Sequence, residues 1–294
     1  MSPLAGDLTT RIVAAGLDAD RLAALVQAAL DEDLGGGSDV TTLATIGPNR
    51  HDTAEFVVRE AGVVAGLLVA EVTMALVSGG TAVVEGPVLE GVPVGAGTVA
   101  LSVRGATADL LTAERVALNF VRHLSGVATL THRFVAAVEG TGAVILDTRK
   151  TTPLLRTLEK YAVRCGGGTN HRMTLSEMAL VKDNHIIAAG GIAAAYAKVR
   201  SLAGAIPVEI EVVDVAGARE AVEAGATRLL LDNMSPAELR ACVEAVGDRA
   251  QLEASGGITL EAVRAIAESG VDFISVGALT HSAPNLDVAM DLRS

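Results

Sequence analysis

The residues best suited to bind an anion lie in one basic segment of an otherwise acidic chain. Residues 149–182 include seven basic and two acidic residues, whereas the 294-residue chain has a net charge of −12. Arginine can bind a carboxylate through two parallel hydrogen bonds. We therefore expect a small molecule with more than one carboxylate to bind the basic residues at predicted strand ends and in the loop CGGGTNHR, namely Arg149, Lys150, His171, Arg172 and Lys182.

The remaining basic residues of this segment have a different interpretation. Arg156, Lys160 and Arg164 recur at every fourth position, which is the spacing of one helix face. We interpret them as a solvated helix surface.

Two carboxylates end successive apolar runs. Glu211 lies in PVEIEVVD and Asp232 in RLLLDNM. Oxygen ligands presented singly suit Mg²⁺, which keeps water and substrate oxygens in its coordination shell. A structural ion pair with Lys182 is the alternative, and the pattern alone does not separate the two.

Glycine-rich turns late in the chain are candidate phosphate sites. Ser255, Gly256 and Gly257 precede one predicted helix, and Gly277 precedes another. Glycines let backbone N–H groups approach a phosphate, and a helix N-terminus adds a favourable dipole. The absence of GxGxxG and GxxxxGK[ST] patterns disfavours dinucleotide and P-loop sites.

The elements that must position these side chains alternate regularly in the second half of the chain. From Glu211 onward, the strand ends recur at steps of 21, 23 and 22 residues, which accommodates a strand, a turn and a short helix. Six such apolar runs predict a parallel sheet whose strand ends converge on one mouth. The predicted class is α/β, an incomplete (β/α) barrel, with a doubly wound open sheet as the alternative. The runs are AVILDTRK, MALVKDNH, PVEIEVVD, RLLLDNM, QLEASGG and FISVGA.

The first half of the chain has a mixed pattern. It contains a predicted helix at 18–30, strands broken by Gly and Pro at 54–67 and 82–105, and a pair of helices at 107–138 joined near Ser125 and Gly126. We predict an N-terminal α+β sandwich domain over 1–127 and the barrel over 128–283, with the C-terminal tail 284–294 packed on the first domain.

Composition disfavours several classes of partner. The acidic balance argues against nucleic acid, which normally requires a basic face. Cys165 and Cys242 form neither a disulfide framework nor a metal-ligand pattern. The N-terminus lacks a secretory signal pattern, and the apolar stretch 62–80 is interrupted by Glu71 and glycines. We expect no membrane partner and a cytoplasmic location.

The motifs taken together resemble a known family. The order DTRKT, GGGTNHR and VKDNH is highly specific, and the chain is similar almost end to end to bacterial quinolinate phosphoribosyltransferases. The segments that carry the resemblance are 29–42, 114–129, 145–172, 181–185, 209–212, 229–234, 253–258 and 274–282.

This resemblance implies an enzyme of NAD synthesis. It would transfer a phosphoribosyl group from phosphoribosyl pyrophosphate to quinolinate with decarboxylation, giving nicotinate mononucleotide, pyrophosphate and CO₂. It would work as a homodimer or higher homo-oligomer with Mg²⁺ as cofactor.

The resemblance also implies roles for particular residues. Catalysis would fall to Lys150, Lys182, Glu211 and Asp232, the last two of which would hold Mg²⁺. The quinolinate-binding residues would be Arg115 (from a second subunit), Arg149, His171, Arg172 and Lys182. The residues for phosphoribosyl pyrophosphate would be Lys150, Ser255, Gly256, Gly257, Gly277 and His281.

Three alternative functions fit the same residues less well. A related transferase would act on another ring and would have an altered basic pocket. A barrel lyase or isomerase would use Lys182 as a Schiff base. A non-catalytic sensor would bind quinolinate without releasing pyrophosphate.

Overall fold

The computed structural model describes residues 4–86 and 88–293, and it divides into two compact units. Pro87, which falls in the predicted strand region 82–105, lies outside the described residues. The division assigns Met1–Leu130, Thr157–Gly167 and Ala283–Ser294 to the first unit, and Thr131–Arg156 and Gly168–Ser282 to the second. The segment 157–167 therefore belongs with the first unit, whereas the sequence pattern assigned it to the barrel.

The first unit is an α+β structure built on an antiparallel sheet. Four strands pair in the order β12 (Val288–Arg293), β1 (His51–Val58), β5 (Val99–Ala106) and β3 (Val83–Glu85), so the C-terminal strand joins the N-terminal sheet. Alternate residues of β1, including Ala54, Phe56 and Val58, are buried in its core, as the two-residue period of a strand requires. Two further short strands, β2 (Gly62–Val63) and β4 (Pro93–Val94), pair with each other.

The helices of the first unit include the longest in the described chain. They are α1 (Gly6–Ala14), α2 (Ala19–Leu34), α3 (Val40–Thr45), α4 (Leu67–Val77), α5 (Thr107–Ala137) and α6 (Arg156–Cys165). The division assigns the end of α5, from Thr131, and the first residue of α6 to the second unit.

Helix α5 is one continuous helix of 31 residues, so the predicted break near Ser125 and Gly126 is wrong. The Ser125 hydroxyl donates to the carbonyl of Ala65 and accepts from its N–H, both at 3.0 Å. A Cβ on Gly126 would collide with the backbone of Pro284. These small and polar residues mark close contacts of the helix, which a sequence pattern cannot distinguish from a turn.

The basic face of α6 is not the solvated surface that its spacing predicted. Lys160 and its neighbour Glu159 are fully buried. Arg164 is exposed, but its guanidinium donates to the carbonyl of Ala15 at 2.7 Å. The helical spacing is correct, but it does not reveal that another part of the first unit covers the helix.

The second unit is an incomplete (β/α) barrel. Its strands are β6 (Val144–Leu146), β7 (Ala179–Val181), β8 (Val208–Val212), β9 (Arg228–Asp232), β10 (Gln251–Ser255) and β11 (Phe273–Ser275). These six strands pair in parallel in the order β6-β11-β10-β9-β8-β7, without the reversal of a doubly wound sheet. The helices are α7 (Asp183–Ala189), α8 (Ile192–Ala203), α9 (Val215–Glu223), α10 (Pro236–Val246), a 3₁₀ turn (Gly247–Arg249), α11 (Val263–Ala267) and α12 (Ala278–His281).

The barrel is open between β6 and β7, which do not pair with each other within the described residues. Thr169 lies beside β6 through one parallel bridge to Leu146. Its N–H donates to Ile145 at 2.9 Å, and its carbonyl accepts from the N–H of Asp147 at 3.2 Å. The segment that follows the glycine-rich loop therefore occupies this open side as a rudimentary strand.

Within the described residues, no single helix has both the length and the apolar character to cross a membrane. Helices α7 and α8, bent by 94°, meet those criteria only as a pair.

Candidate active site

A cavity of about 660 Å³ opens at the carboxyl ends of the strands of the second unit. A second cavity of about 570 Å³, at the amino ends of β9 and β10, contains none of the predicted site residues. Ten of the thirteen predicted site residues line the first cavity, namely Arg149, Lys150, His171, Arg172, Lys182, Glu211, Asp232, Ser255, Gly256 and Gly257.

Two arginines give one wall of the cavity an unneutralised positive charge. The Nε of Arg149 is buried without a hydrogen-bond partner, and neither Arg149 nor Arg172 has an ion-pair partner within the described residues. Burial and the nearby charge of Arg149 lower the pKa of Arg172. Two cations held close together in this way attract an anion.

Arg156, which the sequence analysis placed on a helix surface, instead holds the loop after β6. Its guanidinium donates to Thr151 Oγ1 at 3.0 Å, to the carbonyl of Met173 at 3.1 Å and to that of Arg149 at 3.4 Å. It thus connects the segments that carry Arg149 and Arg172.

Asp147 is a buried carboxylate that was not among the predicted site residues. It accepts from Asn170 Nδ2 at 2.6 Å and from the N–H of His171 at 2.9 Å. Because it is the first polar residue after β6, the rule that selected Glu211 and Asp232 could have found it. It aligns the end of β6 with the loop that carries His171 and Arg172.

The ring of His171 is held by protein groups at both nitrogens. Its side chain is 7% exposed, and Nε2 lies 3.1 Å from Glu209 and 3.5 Å from Glu253. Burial lowers the pKa of His171, but the hydrogen bonds and charges of the two glutamates outweigh burial and raise it overall. Nδ1 accepts from the N–H of Arg172 at 2.9 Å. Because that bond needs a lone pair on Nδ1, it favours the neutral tautomer with its proton on Nε2. The negative charges of the two glutamates have the opposite effect and favour a second proton on the ring.

Arg228, at the start of β9, contacts both glutamates of this group, and the sequence did not predict it. It pairs with Glu209 at 2.9 Å and with Glu253 at 3.1 Å, and its guanidinium stacks 4.7 Å from the ring centre of Phe273. His171, Glu209 and Glu253 are close enough to hold a metal ion. Arg228 already supplies the cation that the two carboxylates require, so we do not assign a metal there.

The opposite wall carries the predicted carboxylate pair on neighbouring strands. Glu211 contacts Lys182 Nζ at 3.1 Å and accepts from the N–H of Asp183 at 3.4 Å. Asp232 accepts from Asn233 Nδ2 at 2.7 Å through Oδ2, and its Oδ1 has no partner in the described part of the chain. The ion pair with Lys182 is thus present, and a carboxylate oxygen beside it is available to a cation.

The turn after β10 brings backbone against the end of β9. The N–H of Asn233 donates to the carbonyl of Ser255 at 2.8 Å. Gly256 has a φ of +94°, and a Cβ there would collide with Asn233. Only glycine fits this position, which leaves the 255–257 backbone exposed to the cavity.

The remaining predicted residues form two separate groups. A Cβ on Gly277 would lie 3.1 Å from His281 Nε2 and 3.2 Å from the Lys150 side chain, so these three residues are neighbours. Thr280, which the sequence analysis missed, fixes this group by donating to the carbonyl of Lys150 at 2.7 Å. Arg115 belongs to the first unit, where it is exposed on α5 and lies 3.9 Å from Glu114.

Comparison of this chain with known proteins identifies its family. Residues 39–125 match the family profile of the quinolinate phosphoribosyl transferase N-terminal domain, and residues 127–291 match that of the C-terminal domain. A Mycobacterium leprae protein named nicotinate-nucleotide pyrophosphorylase (carboxylating) is 44% identical over 275 residues, which cover 91% of this chain and 95% of the relative.

Further relatives agree with this assignment. A mitochondrial quinolinate phosphoribosyltransferase (decarboxylating) 2a of Nicotiana tabacum is 40% identical over 92% of this chain and 82% of its own. The crystal structure of NadC from Streptococcus pyogenes superposes with a TM-score of 0.90 at 38% identity, covering 94% of this chain and 98% of that one. The chain belongs to the quinolinate phosphoribosyltransferase family.

Proposed function

We propose that this protein transfers the phosphoribosyl group of phosphoribosyl pyrophosphate to quinolinate and releases CO₂, giving nicotinate mononucleotide and pyrophosphate for NAD synthesis. The central observation is the unneutralised Arg149 and Arg172 pair in the same cavity as the carboxylates Glu211 and Asp232. The names of the relatives support the same reaction.

Quinolinate would bind at the basic wall. Arg149, Arg172 and Lys182 would hold its two carboxylates, and Arg115 of a second subunit would add another cation. The contacts of His171 support an indirect role for that residue, because both ring nitrogens already have protein partners. We therefore depart from the role that the family resemblance implied for it.

Phosphoribosyl pyrophosphate would bind across the other half of the cavity. The backbone of Ser255, Gly256 and Gly257 would receive its phosphate, since exposed N–H groups in glycine turns suit phosphate oxygens. Lys150, Gly277 and His281 form the neighbouring group, where Lys150 would contact the pyrophosphate.

Mg²⁺ would be held by Glu211 and Asp232 together with substrate oxygens. The donor set fits, because Mg²⁺ is commonly bound by one or two carboxylates plus phosphate oxygens and water. When bound, the ion would neutralise charge on the departing pyrophosphate. Lys182 Nζ, 3.1 Å from Glu211, would remain as a second positive charge beside it.

The residues of the cavity need only position and neutralise the reactants. The pyridine nitrogen is already a nucleophile, so a general base is not required for the N–C1 bond to form as the bond to pyrophosphate breaks. The positive ring nitrogen then accommodates the electron pair left at the adjacent carbon when CO₂ departs, and that carbon takes up a proton. Arg149 and Arg172 would hold both carboxylates beside the sugar until CO₂ departs, and the remaining carboxylate afterwards.

A homodimer or higher homo-oligomer and a cytoplasmic location complete the proposal. The exposed side chain of Arg115 supports the oligomer, because it is available to another copy of the chain. The cytoplasmic location depends on sequence features alone.

A panel of ring substrates tests the proposed reaction. With phosphoribosyl pyrophosphate and Mg²⁺, we expect pyrophosphate release with quinolinate and not with nicotinate. Release only with another ring would favour the related transferase, and quinolinate binding without turnover would favour the sensor. Trapping of a keto substrate on Lys182 by borohydride would favour the lyase; we expect no adduct.

Removal of the carboxylate pair tests the metal site. In Glu211→Gln with Asp232→Asn, we expect activity to require much higher Mg²⁺ than in the unsubstituted protein. An unchanged Mg²⁺ titration in this variant would mean that the two carboxylates have a structural role only.

A further inference from the structure

The open side of the barrel is bridged by side chains where backbone pairing is missing. The segment 169–172 has one backbone bridge to β6 and two hydrogen bonds to the Asp147 carboxylate that follows β6, and no described strand pairs with its other edge. Yet this segment carries Arg172, which must be held in place to bind a carboxylate. Side-chain contacts must therefore hold this segment in place, as backbone pairing between strands does in a complete barrel.

His171 makes those contacts across the barrel interior. From the open side it reaches Glu209 on β8 and Glu253 on β10, at 3.1 Å and 3.5 Å. Its Nδ1 accepts from the N–H of Arg172, so the ring connects the two glutamates directly to the backbone of the binding residue.

The two glutamates depend in turn on Arg228. Both carboxylates are buried. Burial of two negative charges so close together destabilises the folded state unless a nearby cation compensates for them. Arg228 contacts Glu209 at 2.9 Å and Glu253 at 3.1 Å, and it is the only arginine or lysine that the described structure pairs with either carboxylate.

Arg228 does this from outside the cavity. It is the first residue of β9, whereas Asp232, which lines the cavity, is the last, so the two lie about 13 Å apart along the strand. Arg228 does not line the cavity and would not touch a substrate there.

We propose that Arg228 is a positioning residue of the quinolinate site: through Glu209, Glu253 and His171 it holds the segment 169–172, and with it Arg172, against the open side of the barrel. The proposal rests on the proposed function for the identity of the ligand. The geometry of the connection itself does not depend on the ligand.

The test compares Arg228→Met with Arg228→Lys, which retains the charge, and with Arg219→Met, an exposed arginine on α9. In Arg228→Met we expect the KM for quinolinate to rise on the order of tenfold or more, with the KM for phosphoribosyl pyrophosphate nearly unchanged, because misplacement of a binding group by about 1 Å has effects of this size. Arg228→Lys should recover most of the loss, and Arg219→Met should match the unsubstituted protein.

A ligand-free measurement separates this proposal from the proposed function. Amide hydrogen exchange of residues 168–173 should be faster in Arg228→Met, whereas exchange in β8 and β9 stays the same. If Arg228→Met does not fold, Glu209→Gln, which removes the charge of the nearer carboxylate beside His171 at nearly constant shape and does not line the cavity, should give the same two effects.

Two results would overturn the proposal. One is a folded Arg228→Met with unchanged quinolinate KM and unchanged exchange at 168–173. The other is an equal rise in KM for both substrates, which would indicate a general distortion of the barrel. If the unsubstituted protein does not turn over quinolinate, the proposed function fails and the exchange measurement alone decides the role of Arg228.

Discussion

Individual side chains in the cavity are placed for binding an anion rather than for acid–base catalysis. The Nε of Arg149 is a buried donor without a partner, and a buried donor of this kind costs free energy until it is paired. We therefore expect an acceptor beside Arg172 to bind favourably by pairing with this donor. A carboxylate of the proposed ligand would do so through a charge-assisted hydrogen bond.

Arg149→Ala tests this assignment. Hydrogen bonds to charged groups contribute about 1.5–3 kcal/mol, so we expect the KM for quinolinate to rise roughly 10- to 100-fold. Thermal stability should be retained, since Nε makes no internal bond. Arg219→Ala, at an exposed position of the same unit, serves as the control. Quinolinate binding as tight as in the unsubstituted protein would mean that Arg149 does not hold a carboxylate.

At the scale of elements, close packing explains where helix α5 carries its glycine. An exposed glycine inside a helix is about 1 kcal/mol less favourable than alanine. At Gly126 the backbone of Pro284 occupies the space of a Cβ, so the small residue permits the C-terminal segment to pack there.

Gly126→Ala should therefore lower the free energy of unfolding, although alanine has a higher helix propensity than glycine. Overpacking of this kind costs about 1–3 kcal/mol. Asn119→Ala, at an exposed position of the same helix, should have no such cost. Thermal unfolding of the two variants provides the comparison, and a higher midpoint for Gly126→Ala would contradict the packing argument.

Helix α4 contains a buried carboxylate that makes stability depend on pH. Burial of Glu71 raises its pKa from 4.5 to about 7, although Arg11, 2.5 Å away, opposes the shift. The folded state thus binds this proton more tightly than the unfolded state does. Protonation of Glu71 therefore stabilises the folded state by roughly 3 kcal/mol at pH below about 4.5. This contribution is lost as pH rises through about 7.

Glu71→Gln should remove this component. We expect the midpoint of thermal unfolding to fall less between pH 5 and pH 8 in Glu71→Gln than in the unsubstituted protein. Glu32→Gln, at an exposed position of α2, should leave the pH dependence unchanged. Parallel pH profiles for Glu71→Gln and the unsubstituted protein would show that Glu71 does not titrate in this range.

Sequence patterns predict elements and strand ends better than they predict contacts between them. The even spacing of Glu211, Asp232 and Ser255 predicted neighbouring strands, because each repeat is one strand and one helix. Arg228 was not predicted, because it starts a strand at the end of the barrel away from the cavity and acts through other side chains. The burial of Lys160 was not predicted either, because periodicity identifies a helix face but not what covers it.

At the scale of the whole molecule, each of the two units has its own architecture. The antiparallel sheet of the first unit includes the C-terminal strand, and the second unit contains the cavity with ten of the predicted residues. The strand order of that unit removes the doubly wound alternative. The family resemblance and the comparisons agree along almost the whole chain.

The most direct test of the central claim follows two products together. Purified protein is mixed with Mg²⁺, quinolinate and phosphoribosyl pyrophosphate, and nicotinate mononucleotide and CO₂ are measured over time, with nicotinate in place of quinolinate as the control. We predict that both products form one for one and that nicotinate is not a substrate. Mononucleotide formation from nicotinate, or from quinolinate without matching CO₂, would contradict the proposed reaction.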